Sequence, residues 1–408
     1  MKTFTPLYAL HSHIKSHPYM WICFAMIVGV MGTALASPLY PLYQNAWLLS
    51  TGEITVLYVG YMAAALSSLL FLGRISDQRG YVIALRAGLI IVTLGIFFSA
   101  VSWSFGSFLL SRIVIGLASS LIVTSASIGL TRLNKSSDLG RAAATTSLLI
   151  AFGFGLGPVL GGLIAQWAAI PLRTSYVPSV VMGIVAIYTL FSMPADQPLG
   201  ANTTKTTAFW RPSLHIPAAD KRTPFLLGAF TAFTAFAMFS LFASLAPSFM
   251  SRMVPWDGPA VSGLSIGFIL FMSAGFQLLV RQWPLKRTMI LGLCTFVASN
   301  GLLALNLKYS SSGLFISSVV LLALGHGLCL ISGMGIVNRI ALPAQRAATT
   351  SSYLIIAYCG AILPILGIGY LADYFGMVVA LNSFCASLAA LCLCLALLTW
   401  RRLKIATD

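Results

Sequence analysis

The stretch Gly153-Phe-Gly-Leu-Gly157-Pro158-Val-Leu-Gly161-Gly162 lies inside an apolar run from Ala142 to Trp167. A helix of this length can cross the ~30 Å hydrocarbon core of a bilayer. Glycine and proline destabilise the interior of a helix, but glycine allows two helix backbones to approach closely inside a membrane. We therefore expect a membrane-spanning helix that packs closely against its neighbours or bends.

The whole chain has the composition of an integral membrane protein. Of its 408 residues, 58% are hydrophobic and 8% are charged, whereas a soluble domain carries about 25% charged residues. Apolar runs of about 20 residues predict an all-α integral membrane fold with twelve transmembrane helices. The predicted spans are 19–43, 54–73, 84–103, 107–130, 142–167, 175–193, 223–249, 259–281, 288–307, 313–337, 348–372 and 377–400.

The basic residues are divided unevenly between the two predicted sides of the membrane. The formal net charge is +16, and if the N-terminus is cytoplasmic, 20 of the 24 Lys and Arg residues are cytoplasmic. Three (Arg173, Arg252 and Lys308) lie outside, and Arg112 lies within a span. This asymmetry follows the positive-inside rule, so we expect both termini in the cytoplasm, a location in the inner (plasma) membrane and basic loops facing anionic lipid. No aromatic-basic module accompanies the charge, which argues against nucleic-acid binding.

The two halves of the chain repeat each other at an offset of about 206 residues. The repeated elements are Arg141-Ala-Ala-Ala-Thr-Thr-Ser with Arg346-Ala-Ala-Thr-Thr-Ser-Ser, Pro158 and Gly161 with Pro364 and Gly367, and Pro41 with Pro247. We expect an N-terminal six-helix bundle (1–193), a polar cytoplasmic linker (194–222) and a C-terminal six-helix bundle (223–408). Because the repeat needs its first helix intact, we interpret the signal-like N-terminus as an uncleaved span.

The quoted glycine-proline stretch resembles the fifth-helix signature of proton-coupled antiporters of the major facilitator superfamily, G-x-x-x-G-P-x-x-G-G. The resemblance implies that Gly153, Gly157, Pro158, Gly161 and Gly162 serve antiporter-type helix packing. It also implies the major facilitator fold, in which two six-helix bundles hold a substrate site between them near the bilayer midplane.

The loop after the second span looks like the superfamily's loop 2–3 signature, G-x-x-x-D-R-x-G-R-R. It matches at Gly73, Asp77 and Gly80, with Arg79 close by, and departs at 78, 81 and 82, where the family usually places basic residues. By resemblance, Asp77 braces the start of the eleventh span and holds one access state closed, as an aspartate at a helix N-terminus can. The alternative is a topology loop that merely contains Asp and Arg.

Arg112 is the only basic residue predicted well inside a span, and placing a charge there is costly. With Gly116 it resembles the fourth-helix signature R-x-x-x-G of these antiporters, in which the arginine is associated with proton transfer. Alternatively, Arg112 snorkels to the outer surface from its place near the helix start.

Proton antiport needs a group that changes charge, yet none of the eight acidic residues lies near the middle of a predicted span. His326, in the tenth span, is the only intramembrane histidine and can titrate near neutral pH. We assign it to proton or substrate coupling together with Arg112; the alternative is a hydrogen bond to a neighbouring helix. Further residues that could line a cavity are Tyr40, Ser119, Phe239, Gln277 and Tyr358.

The leading hypothesis is therefore an exporter driven by proton antiport, carrying a drug, siderophore, sugar or other metabolite. The alternative is a facilitator or proton symporter that imports a small metabolite on the same fold. No phosphate-binding loop, paired acids or His-Cys cluster indicates an enzyme or ATP-driven export. The expected partners are substrate, protons and lipid, with no nucleic acid, no cofactor and no metal, and we expect a monomer.

Overall fold

The described part of the chain folds into helices, without a strand among the residues concerned. A computed structural model describes residues 17–73, 75–134, 139–194, 214–250, 253–256, 258–342 and 345–403, apart from the side chains of 77, 78 and 139–144. Twelve of its helices are long and apolar enough to cross a membrane. They are α1 (Pro18–Trp47), α2 (Thr51–Leu72), α3 (Tyr81–Ala100), α4 (Phe105–Leu133), α5 (Leu139–Trp167), α6 (Pro171–Phe191), α7 (Ala219–Ser244), α8 (Pro259–Val280), α9 (Leu285–Tyr309), α10 (Ser312–Ile340), α11 (Arg346–Phe375) and α12 (Met377–Arg402).

The first helix of each half is broken near its end by proline. In α1, the α-helix Pro18–Ala34 gives way to a 3₁₀ turn, Ser37–Leu39, and resumes as Tyr40–Trp47. In the second half, α7 ends at Ser244 and a separate turn, Ala246–Phe249, follows. Proline has no N–H to donate to the preceding turn, so Pro41 and Pro247 each begin a new helical segment.

The packing of the helices repeats from one half to the other. In the first half α1 packs against α4, α5 and α6, α2 packs against α4, and α3 packs against α4 and α6. The second half repeats every one of these pairs with helices six places later: α7 with α10, α11 and α12, α8 with α10, and α9 with α10 and α12. The internal duplication of the sequence is thus expressed as two bundles of six helices.

Two pairs of helices make the most extensive contacts between the bundles, α5 with α8 and α2 with α11. Helices α2 and α8 begin at one end of the molecule, and α5 and α11 stop there; we call it the closed end. The opposite end, where α6 ends and α7 begins, is the linker end. α7 begins at Ala219, inside the predicted linker 194–222, and residues 195–213 of that linker lie outside the described residues.

Candidate functional site

A cavity of about 410 Å³ lies between the two bundles, at mid-depth and towards the linker end. α2, α4 and α5 line it from one side, and α7, α8, α10 and α11 from the other. Small-molecule pockets typically occupy about 300–1,000 Å³. The wall is formed by Tyr61, Met62, Leu69, Ser119, Ser120, Val123, Thr124, Ser147, Ile150, Ala151, Phe154, Phe236, Phe239, Ser240, Leu270, Ser273, Gln277, His326, Leu330, Leu354 and Tyr358.

The structure places most of the predicted cavity residues in this wall. Ser119, Phe239, Gln277 and Tyr358 line the cavity, and so does His326. Tyr40 does not: it is fully buried on the short helix Tyr40–Trp47, beyond the break in α1. No residue of α1 is among the described lining residues, so the first helix does not contribute to the wall.

His326 is held by two residues of α8. Ser273 Oγ lies 2.8 Å from His326 Nδ1, and Gln277 Nε2 donates to the same serine oxygen over 3.4 Å. In this orientation the amide nitrogen can only donate, so Ser273 accepts from Gln277 and its own hydroxyl hydrogen is available to His326 Nδ1. A neutral imidazole that accepts at Nδ1 carries its hydrogen on Nε2. When the Ser273 hydroxyl donates to Nδ1, Nε2 is therefore the donor nitrogen of the neutral ring.

Aromatic rings flank this histidine. The Phe239 ring centre lies 5.6 Å from that of His326, and the rings of Phe236 and Tyr358 lie 5.2 Å apart on neighbouring helices. Phe154 faces them from the first bundle across the cavity. The described lining residues include no Asp, Glu, Lys or Arg. The wall is thus mainly apolar and aromatic, with a few fixed polar groups.

Most of the serine and threonine hydroxyls that line the cavity from the first bundle already donate hydrogen bonds to backbone carbonyls. Ser119 donates to the Gly116 carbonyl, Ser120 to the Ala65 carbonyl, and Thr124 to the Ser120 carbonyl. Each hydroxyl has one hydrogen, so these groups offer the cavity only oxygen lone pairs.

Arg112 is buried, 1% exposed, on the closed-end side of the cavity. Its Nη2 donates to the Thr33 carbonyl over 2.9 Å, and its guanidinium lies 4.8 Å from the ring centre of Tyr61. Its Nε and the Tyr40 hydroxyl have no hydrogen-bond partner among the described residues. The arginine therefore does not snorkel to a surface. Tyr61 lies between Arg112 and the cavity: its side chain lines the cavity, and its ring makes a cation–π contact with the guanidinium.

Hydrogen bonds between the bundles fasten the closed end. Asp373, at the end of α11, accepts from the backbone N–H groups of Thr51 and Gly52 at 2.8 and 2.9 Å and from the Ser50 hydroxyl at 2.9 Å. The first N–H groups of a helix lack intrahelical partners and favour a negative charge. The Asp373 carboxylate therefore caps α2 across the interface between the bundles.

Two further bonds between the bundles lie at the same end. Ser248 donates to Gln44 Oε1 over 3.2 Å, which joins the short segments that follow α7 and the break in α1. Gln166, at the end of α5, accepts from the Ala260 N–H over 3.3 Å. At mid-depth the hydroxyls of Tyr58 and Ser240 are 2.9 Å apart. Every bond between the bundles that is described here lies at mid-depth or towards the closed end.

The glycine-proline stretch packs α5 against α1 along one face. A β-carbon at Gly153 would lie 3.0 Å from the Ile27 carbonyl oxygen, and one at Gly161 would lie 2.7 Å from the Leu35 carbonyl oxygen. At Gly157, it would collide with the Met31 carbonyl oxygen. Three glycines at spacings of four thus let two backbones touch within the first bundle.

The other face of the same stretch meets α8 of the second bundle. A β-carbon at Gly162 would collide with the Pro259 carbonyl oxygen, and one at Gly263 would collide with the Pro158 carbonyl oxygen. In each case it would lie 3.2 Å from the α-carbon of the other glycine. The fifth helix is therefore in backbone contact with both bundles at the closed end.

The predicted gating loop lies at the linker end. Gly73 ends α2, and Gly80 begins α3 with φ of 87°, a conformation that side chains with a β-carbon rarely adopt. Arg79 is exposed at the end of the short helix Ile75–Arg79. The side chain of Asp77 lies outside the described part of the structure, so its proposed contact with α11 stays a prediction.

Three residues that the sequence did not single out take part in these arrangements: Ser273, Tyr61 and Asp373. The spacing of Ser273 and Gln277, one helical turn apart, was a signal that could have linked them. For Tyr61 and Asp373, the partners come from other helices, so no local pattern pointed to their contacts.

Comparison with known proteins agrees with the two-bundle fold and its central cavity. The family model described as Major Facilitator Superfamily matches residues 22–284, well over half of the chain. The chain belongs to this superfamily. The superfamily consists of transporters, so the protein is a multi-pass membrane transporter and not an enzyme.

The curated relatives are distant and match over part of their length. The chain is 21% identical over 167 residues to the riboflavin transporter RibZ of Clostridioides difficile, covering 41% of this chain and 36% of RibZ. It is 24% identical over 143 residues to the quinolone resistance protein NorA of Staphylococcus aureus, covering 35% of this chain and 37% of NorA. The matched segments thus span little more than a third of these relatives.

Solved structures of transporters share the fold over nearly the whole chain. A D323A mutant of the nucleoside transporter NupG superimposes with a TM-score of 0.76 at 13% identity, covering 95% of this chain and 100% of NupG. A POT family transporter in complex with 5-aminolevulinic acid gives 0.76 at 14% identity, covering 95% and 96%. At these identities the likeness establishes the fold alone.

Proposed function

We propose that this protein exports a small molecule across the inner (plasma) membrane in exchange for protons. The observation that carries the proposal is a cavity between the bundles that is sealed at one end by the α5 glycines and whose described wall contains one histidine, His326, the residue type that ordinarily titrates near neutral pH. A transporter of this fold works by alternating access, in which the two bundles rock about a central site. The seal at the closed end leaves the linker end as the side from which the present conformation loads.

The distribution of charge supports a cytoplasmic linker end. The described basic residues at that end include Arg79, Arg222, Arg287, Arg346 and Arg402, whereas those at the closed end are Arg173 and Lys308. Because basic residues are retained on the cytoplasmic side, the cavity would then load from the cytoplasm, as an exporter requires. The name of NorA, a quinolone resistance protein, is consistent with export.

The exchange of substrate for a proton has a physical basis at His326. A charged imidazole in this mainly apolar wall would need water, since burying an unhydrated charge is costly. A substrate that fills the cavity expels that water and so favours the neutral histidine. Substrate and proton would then alternate in the site, which is the requirement for antiport.

A facilitator or proton symporter is the second candidate, favoured by one observation: the described cavity wall has no carboxylate. The discriminating experiment uses purified protein in liposomes with an inside-acid pH gradient and a trapped pH dye. Cationic, neutral and anionic compounds are added outside in turn. Proton release evoked by a compound supports antiport, whereas uptake of a compound without proton release supports the facilitator.

The role of His326 is tested in the same assay. His326→Ala should abolish compound-evoked proton release, because it removes the titratable group of the cavity, while His215→Ala, outside the cavity wall, should leave proton release intact. Size-exclusion profiles check that both variants fold. Undiminished proton release by the His326 variant would overturn its assignment as the coupling group.

A further inference from the structure

The cavity wall restricts which ligands can bind, because its free polar groups are few and of known type. In the first bundle, the hydroxyls of Ser119, Ser120 and Thr124 donate to backbone carbonyls and have no hydrogen left for a ligand. Ser240 is paired with Tyr58. The side-chain donors that remain for a ligand are Tyr61 and Ser147 on the first bundle and His326, Gln277 and Tyr358 on the second.

His326 can supply a directed hydrogen-bond donor. The Ser273 hydroxyl, which accepts from Gln277, has its hydrogen available for His326 Nδ1, and with that bond formed the hydrogen of the neutral ring is on Nε2. His326 lines the cavity, and its Nε2 has no bond to any described residue. The Tyr358 hydroxyl, also in the wall, can either donate or accept and so does not discriminate. The Nε2–H group of His326 distinguishes between ligands, because it can form a hydrogen bond only with a ligand that carries an acceptor.

The surroundings of that donor favour a flat ring. The Phe239 ring centre lies 5.6 Å from that of the imidazole, and the rings of Phe236 and Tyr358, 5.2 Å apart, belong to the same cavity wall. Aromatic groups stack offset or edge-to-face at centroid distances of about 4.5–7 Å. With no charged residue among the described lining residues, a charged ligand would lose its hydration without finding a counter-ion.

We infer that the cavity selects uncharged, planar aromatic molecules that carry a carbonyl oxygen or ring nitrogen, and that the Nε2–H of His326 recognises this acceptor. The inference rests on the proposed transport function, whose substrate class it names. In this proposal Ser273 is a positioning residue, because its hydroxyl donates to Nδ1 and so places the hydrogen of His326 on Nε2, and Gln277 supports Ser273.

The test compares three fluorescent probes by anisotropy with purified protein in detergent, with empty micelles as background. Acridone is a planar, neutral tricycle with a carbonyl acceptor; carbazole is a similar tricycle with an N–H and no carbonyl; ethidium is a planar cation. We expect acridone to bind about five- to tenfold more tightly than carbazole, the contribution of one hydrogen bond, and ethidium to bind least. Equal binding of acridone and carbazole, tighter binding of ethidium, or no binding of acridone would each overturn the inference.

Two substitutions of His326 separate this inference from the proposed antiport. His326→Gln keeps an N–H donor but cannot titrate near neutral pH, so it should retain preference for acridone and lose proton release in liposomes. His326→Phe keeps a ring of similar shape without the donor, so it should bind acridone and carbazole equally. If His326→Gln keeps both properties, antiport through His326 fails while the substrate class stands. If His326→Phe still prefers acridone, the substrate inference fails whatever the proton assay gives.

The positioning role of Ser273 has its own readout. Ser273→Ala frees Nδ1 to carry the hydrogen, so the preference for acridone over carbazole should fall while the binding of carbazole stays the same. Ser299→Ala, at a buried serine that bonds Ser318 outside the cavity, is the matched control and should preserve the preference. Loss of affinity for both probes alike in Ser273→Ala would indicate a merely structural serine and would remove the basis for a fixed donor.

Discussion

Replacing Gly162 by alanine should push α5 and α8 apart at the closed end. A β-carbon at this position would lie 3.0 Å from the Pro259 carbonyl carbon and 3.2 Å from the Gly263 α-carbon, whereas ordinary contacts are 3.4–4 Å. Both neighbours are backbone atoms, so α5 and α8 must separate instead of a side chain rotating away. The separation needed is roughly 0.5–1 Å, which already forfeits a quarter to a half of each affected van der Waals contact.

The expected cost to the closed-end contact is about 1–3 kcal/mol, typical of overpacking in a close-packed region. If the alternative access state separates these helices at the same end, that state does not bear the cost. The equilibrium should then shift towards it by roughly 5- to 150-fold. Within a membrane there is no hydrophobic pressure between helices to resist the change.

The distance across the closed end can be measured by electron–electron resonance between two spin labels. Leu48, 89% exposed before α2, and Tyr374, 82% exposed near the end of α11, provide one label site on each bundle. The labels are introduced as cysteines after the seven native cysteines are replaced. Gly162→Ala should add a longer-distance population that the parent lacks.

Gly301→Ala is the matched control, because a β-carbon at Gly301 meets nothing within 4 Å, and it should reproduce the parent distribution. An unchanged distribution in Gly162→Ala would refute the reasoning, since it would mean that the α5–α8 contact is not among those that alternating access must break.

Three further substitutions have expected outcomes. Asp373→Asn should weaken the cap on α2 and raise the same longer-distance population by about two- to fivefold, a modest effect because the contact is exposed; no change would remove Asp373 from the seal. Gly157→Val should block transport in liposomes, because its side chain meets the Met31 carbonyl, whereas Gly275→Ala, with open space around it, should transport normally. Arg112→Gln should lose compound-evoked proton release yet still bind acridone in the anisotropy assay; intact proton release would exclude Arg112 from coupling.

The sequence sufficed to predict the twelve helices and their duplication, because membrane spans are recognised by length and apolarity alone. It was less informative about the broken ends of α1 and α7. Their prolines were visible, but only packing shows that Gln44 and Ser248 meet there. Tyr40, which we expected in the cavity, lies outside its wall with the rest of α1, because the sequence does not indicate which helices face the cavity.

Contacts between the bundles were beyond sequence reasoning for a different reason. Asp373 is one of the eight acidic residues outside the middle of the predicted spans, yet its partner is the start of α2, more than 300 residues away. Nothing in the local pattern near Asp373 differs from that of a solvated carboxylate. The predicted counterpart, Asp77 at the start of α11, would perform the same kind of capping at the opposite end of the molecule.

These two aspartates suggest how the fold alternates without a carboxylate in its described cavity. Asp373 at the end of α11 caps α2, and the proposed role of Asp77, after α2, is to cap α11, so the same pair of helices would be fastened at one end at a time. A carboxylate cap does not need to titrate to be released, because the energy can come from the site between the ends. Under the proposed antiport, a ligand that expels water from around His326 would favour the neutral histidine and closure at the linker end, and that closure would strain the α2–α11 contact at the other end. Proton binding at His326 would act on the same equilibrium, by as much as the affinity of the histidine for the proton differs between the two states.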